Sequence, residues 1–109
     1  MAFDEALAER VRELVRRRRG FTEKKMFGGV AFFLSGNVCV GVWKEFLIVR
    51  VGLDAYENAL DEPFVKQFDI TGRAMRGWAM VHREGVEDAD DMRSWIEQAV
   101  KFVRTLPSK

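Results

Sequence analysis

A single cysteine, Cys39, and a single histidine, His82, occur in this chain. One cysteine excludes an internal disulfide and any zinc site built on paired thiolates. One histidine excludes a His-rich metal site. A free thiol without a partner suits a reducing compartment. Long apolar runs are also missing. The densest stretches, Val30–Leu34 and Val38–Trp43, are far short of the roughly 20 residues of a membrane span. The N-terminus passes from Met1-Ala2-Phe3 directly into charged residues, without the apolar centre of a secretory signal. The expected location is the cytoplasm. A net charge of +1 excludes a general attraction to polyanions.

What is present suffices for one domain. With 109 residues, 48% hydrophobic and 32% charged, the chain reads as a single globular unit over 1–109. Phe3, Leu7, Val11, Leu14 and Val15 form one stripe at helical spacing. Acids lie early in this helix and Arg16–Arg19 late, as the helix dipole favours, with Gly20 as its stop. The period then changes. Lys24–Phe27, Val30–Leu34, Val38–Trp43 and Phe46–Val51 read as strands. Gly28-Gly29, Ser35-Gly36-Asn37 and Lys44-Glu45 are the breaks between them. Turns this short make an antiparallel meander. Val38, Val40 and Val42 are expected on one face, with Cys39, Gly41 and Trp43 on the other. Leu47, Val49 and Val51 share a face opposite Arg50. A charge inside a strand calls for a wet or paired environment, so Arg50 is expected to be partly exposed or paired with a carboxylate, in an anchoring role.

A short helix follows, with Asp54 and Glu57 at capping-box spacing and Pro63 as its stop. Gln67–Ile70 and Trp78–His82 read as strands. The last helix carries Met92, Trp95, Ile96, Ala99, Val100, Val103 and Leu106 on one stripe, with Asp88 as N-cap and Pro107 as its end. The order of elements predicts an α+β fold, an antiparallel sheet with flanking helices.

Few residues nominate chemistry. Residues 1–50 hold ten Lys/Arg and six Asp/Glu, a net of +4; residues 51–109 hold eight and eleven, a net of −3. Arg16, Arg17, Arg19, Lys24 and Lys25 are therefore candidate phosphate contacts. Consecutive helical residues lie about 100° apart, so such a run fans around the axis, and Arg18 falls on the apolar stripe. A solvated helix end, with Arg18 snorkelling at the rim, is the simpler account. Gly28-Gly29 beside two lysines lacks the spacing of a phosphate loop and reads as a turn. Cys39 sits in an apolar strand as a core thiol, and Glu84, Glu87, Asp88, Asp90 and Asp91 lack the spacing of a calcium loop. An enzyme would need a pocket around His82, Arg50 or Arg73. The aromatics are numerous for a small domain. Phe32 and Phe33 cannot share a face, so one sheet face is expected to carry apolar surface of the kind that marks partner sites.

Lys24-Lys25-Met26-Phe27-Gly28-Gly29-Val30-Ala31-Phe32, Gly36-Asn37, Leu47-Ile48-Val49-Arg50-Val51-Gly52 and Thr71-Gly72-Arg73-Ala74-Met75-Arg76-Gly77-Trp78 resemble the TfoX (Sxy) N-terminal domain family over nearly the whole chain. The resemblance implies a fold similar to secretion-chaperone-like α+β folds. It implies no catalytic residues, no metal and no cofactor. The name-giving members are competence regulators that work with the cyclic-AMP receptor protein and carry a second, C-terminal domain. That domain is expected to be absent here, since Lys109 directly follows the last helix. The leading expectation is a non-enzymatic protein-interaction module, an accessory regulator of transcription or of a competence-type response. Its partner would be a protein, including transcription machinery, with a homodimer as a further expectation. Nucleic-acid binding through the basic helix end is the alternative. Met26, Phe27, Arg73, Met75, Arg76 and Trp78 are the candidate partner-binding residues. They are expected to lie near each other as one rim, the competing reading being that Phe27 and Trp78 plug the core beside two turns.

Overall fold

The computed structural model describes residues 3–26, 28–69 and 72–108. Its elements run α1 (Glu5–Val15), β1 (Phe21–Met26), β2 (Gly29–Leu34), β3 (Asn37–Trp43), β4 (Phe46–Arg50), α2 (Leu53–Leu60), β5 (Val65–Gln67), β6 (Trp78–His82), a 3₁₀ turn (Arg83–Val86) and α3 (Ala89–Val103). The six strands form one sheet in the order β1-β2-β3-β4-β6-β5. Every neighbouring pair is antiparallel. This is the α+β class that the order of elements predicts, with the antiparallel pairing that the short turns predict.

The first four strands meander because their connections are tight. Ser35 and Gly36 both take positive φ, 52° and 86°, which is the backbone that a two-residue hairpin turn requires. Gly28 belongs to the β1–β2 turn, while Gly29 already pairs with Met26. The chain then crosses through α2. β6 returns to β4 and leaves β5 on the outer edge.

All three helices pack on one face. Leu7, Val11 and Val15 of α1, Ala59 of α2, and Met92, Ile96, Ala99, Val100 and Val103 of α3 form one core with Val30, Phe32, Leu34, Leu47, Val49, Val51, Ala79 and Val81 of the sheet side. The α1 and α3 stripes are thus the buried faces, and Leu47, Val49 and Val51 do share a side. Asp4 caps α1 by accepting from the Leu7 amide at 3.0 Å. That bond, helped by Arg83 and opposed by partial burial, holds its carboxyl below the usual range. Asp88 caps α3 by accepting from the Asp90 amide at 2.7 Å. β1 is tied to α1 by a two-pronged contact. Arg12 Nε and Nη2 donate to the two Glu23 carboxylate oxygens at 2.8 and 2.6 Å, which lowers the Glu23 pKa against a smaller effect of burial.

Four local expectations need correction. α1 ends at Val15 with Arg16 as its C-cap, so Gly20 does not close it. The chain turns earlier to bring Phe21 alongside Leu34, and Gly20 serves that turn by accepting from the Ser35 amide at 3.0 Å. The N-cap of α2 is Gly52, with no side-chain cap bond; Asp54 lies inside the first turn and completes no capping box. The fifth strand is Val65–Gln67, earlier than Gln67–Ile70, and Ile70 lies outside the described residues. The alternation in β3 also breaks. Phe32 pairs with Val40 and Phe33 with Val38, so Cys39 has no partner on β2 and forms a bulge. Cys39 therefore turns into the main core beside Val40 and Val42.

Candidate functional site

The helices leave the other sheet face to be covered by the chain's own loop and side chains. Cross-strand partners share a face, so the register identifies what projects there. β1 contributes Thr22, Lys24 and Met26 against Phe33, Ala31 and Gly29 of β2. β3 and β4 place Trp43 opposite Phe46 and Gly41 opposite Ile48. β6 sets His82, Met80 and Trp78 opposite Phe46, Ile48 and Arg50, and Lys66 of β5 lies opposite Met80. No strand residue of this face is Asp or Glu. Ile48, Met80 and Phe68 form a second small core, with Trp43, Phe46 and Trp78 packed partly buried around it.

Three cations rest on rings here. Lys44 Nζ sits 4.6 Å from the Trp43 ring centre. Lys66 Nζ lies 5.1 Å from that of Phe46, and Arg50 Cζ lies 4.9 Å from that of Trp78. Such pairs hold a charge in place against apolar surface. Arg50 is half-buried, and its Nη1 donates to the Val38 carbonyl at 3.3 Å. It is thus partly exposed, and it anchors through the Trp78 ring, the Phe102 ring of α3 at 5.9 Å and a backbone oxygen.

His82 is occupied structurally. Its Nδ1 accepts from the Glu84 amide at 3.2 Å and caps the 3₁₀ turn. Its Nε2 lies 3.4 Å from a Glu45 oxygen, and its ring meets Phe46 edge-on at 5.4 Å. Arg50 pairs with Trp78 at the opposite end of β6, four residues and roughly 13 Å away along the strand. Cys39 is fully buried, and burial pushes its thiol up to about 12 despite Arg18, Arg50 and Arg104. A thiol held protonated at neutral pH is no nucleophile. Among the described residues no group of His, Cys, Asp and Glu side chains could hold a metal ion.

The expected rim does not assemble. Met26 is on the edge strand β1, in the row that runs through Trp43, Phe46 and His82, whereas Trp78 is four strands across and at the other end. Strand spacing puts them roughly 20 Å or more apart. The crossover through α2, which inserts β6 beside β4, is the reason. Phe27 lies outside the described residues. Arg73, Met75, Arg76 and Trp78 do form one corner. The Met75 amide donates to the Phe68 carbonyl at 3.0 Å, and the Val51 and Gly52 amides donate to Gly77 at 2.9 and 3.0 Å. Arg73 and Arg76 are exposed and Met75 is 40% exposed. Trp78 is half-buried against Phe68, with ring centres 5.7 Å apart, so it both packs and borders the surface.

The basic helix end is divided. Arg16 pairs with Glu13 at 2.9 Å and Arg18 with Glu97 of α3. Arg17 and Arg19 are exposed and make no ion pair among the described residues. Lys24 projects to the open face with Ala31, and Lys25 to the helix side with Val30. The five candidate phosphate contacts thus form no single stripe. Sequence reading passed over Lys44, Lys66, Trp43 and Phe46 as a group. The alternation Phe46, Ile48, Arg50 carries the signal, because it marks a strand face that is apolar yet ends in a charge.

An antiparallel six-stranded sheet with helices on one side and an aromatic, cation-bearing face on the other defines an α+β domain with one sheet face free of helices, its centre filled by Ile48, Met80 and Phe68. The TfoX N-terminal domain family model matches residues 13–103, and the chain belongs to that family. No curated protein and no solved structure matches it. Among the described residues no helix is long and apolar enough to cross a membrane.

Proposed function

We propose that this domain is a non-enzymatic protein-interaction module, an accessory regulator of transcription in a competence-type response, acting from the cytoplasm. Family membership gives the regulatory setting. The observation that carries the interaction role is the corner made by Arg73, Met75, Arg76 and Trp78. There a thioether and two guanidinium groups stand exposed on backbone pinned to Phe68, Val51 and Gly52. Arg, Met and Trp are enriched where proteins meet, and a pinned loop loses little freedom on binding.

Charge reversal at Arg73 and Arg76 tests this directly, because neither side chain makes an ion pair among the described residues. Immobilised protein is exposed to nuclease-treated lysate of the native cell. Wild type is expected to retain a protein that the Arg73→Glu/Arg76→Glu variant loses, with an unchanged melting temperature. Captured material that disappears on nuclease treatment would instead favour nucleic acid.

A further inference from the structure

We infer that the open sheet face takes an acidic segment of a partner protein, with apolar side chains interspersed among its carboxylates. This rests on the protein-interaction reading above and names the chemistry of the partner. The whole chain has a net charge of only +1, yet the charges are sorted. Lys24, Arg50 and Lys66 project from the strands of this face with no Asp or Glu among them. Lys44 leans over it from the β3–β4 turn. Two carboxylates, Glu45 and Glu84, border the face at His82; elsewhere its charges are cations, and a predominantly positive face attracts and orients a partner of the other sign. Between the cations lie the half-buried rings of Trp43 and Phe46, which supply apolar contact.

The state of the rings separates an acidic peptide from a single-stranded nucleic acid, which also seeks cations and aromatics. Bases bind by stacking on bare ring faces. Here Lys44, Lys66 and Arg50 already lie over Trp43, Phe46 and Trp78, at 4.6, 5.1 and 4.9 Å from the ring centres. A base would have to displace its own cation to stack. A carboxylate accepts a hydrogen bond from each ammonium where it stands, and the neighbouring apolar side chain meets the ring edge. The partner lies across the face and does not extend the sheet, because the β1 edge is guarded by Lys24 and Lys25 and the β5 edge is only three residues long with Lys66 at its centre, common defences against strand addition.

The probes are a synthetic peptide alternating Asp and Glu with Leu and Phe, the same peptide with Asn and Gln in place of the acids, and single-stranded oligothymidylate. The full chain is expected to bind the acidic peptide, more weakly as salt rises, and not its Asn/Gln counterpart. Lys44→Gln/Lys66→Gln should bind it roughly tenfold more weakly. Lys101→Gln, an exposed change on α3, should bind as wild type does. Equal binding of the neutral peptide would overturn the acidic chemistry and leave the protein-interaction reading standing. Tighter binding of oligothymidylate would overturn both. Binding of neither peptide, or equal binding by the Lys44→Gln/Lys66→Gln variant and wild type, would also overturn the inference.

Discussion

Gly52→Ala should destabilise the protein by about 3 kcal/mol or more, from two causes that add. Gly52 has φ 86° and ψ 164°, a region open essentially to glycine alone. A Cβ built there would stand 2.4 Å from Phe102 Cδ1 and 2.6 Å from Cε1. The backbone cannot easily yield, since the amides of Val51 and Gly52 both donate to the Gly77 carbonyl and α2 begins at the next residue. Chemical denaturation should show a lower midpoint with an unchanged slope. Adding Phe102→Ala to Gly52→Ala removes the collision and leaves the backbone strain, so the double variant should lose less than the two single losses summed. A Gly52→Ala midpoint equal to wild type would mean that this junction is wrongly described.

Phe32→Ala should cost about 3–5 kcal/mol, as for a fully buried aromatic ring, while Phe33→Ala should cost about half as much or less, in proportion to the smaller buried area. Phe32 is 1% exposed and sits in the main core under the helices. Phe33 is half-buried on the opposite face, across from Thr22. Paired denaturation curves decide the matter. Equal losses would mean that the two sheet faces are equally packed, which contradicts an open face.

The Phe32/Phe33 pair shows how far the sequence could be read. Alternation requires that one ring be core and the other not, but it does not say which, because both are apolar. The helix on the core side makes that choice. Elements whose signals are local were legible. The stripes of α1 and α3, the Asp88 cap, and β6 from Trp78 to His82 all follow from spacing within a few residues. Where distant parts decide, the reading failed. The Cys39 bulge is a mismatch between two strands and leaves no mark in Val38, Val40 and Val42. Asp54 and Glu57 have capping-box spacing, yet α2 starts one residue before Asp54 because Gly52 can take a backbone that no other residue there would. Arg18 is half-buried at the rim, as its place on the stripe implied, but the partner its head meets, Glu97, comes from the other end of the chain and left no mark in the sequence.

The candidate site was legible in kind but not in place. A surplus of aromatics with one face left over follows from the alternation and the count of large side chains. That Lys44, Lys66 and Arg50 lie over three of those rings depends on strand order. So does the separation of Met26 from Trp78. Neither local pattern nor family-like motif encodes which strand a crossover will place beside which.

The three tryptophans provide the most direct test of an interaction surface on the open sheet face. Trp43 and Trp78 belong to that face, and Trp95 packs against the main core from α3 on the helix side. Their indole N–H resonances can be followed together while the acidic peptide is added to the labelled full chain. The account predicts that the Trp43 and Trp78 signals shift in step with saturation and that the Trp95 signal holds still. Movement of Trp95 with Trp43 and Trp78 unchanged would place binding on the helices and contradict it.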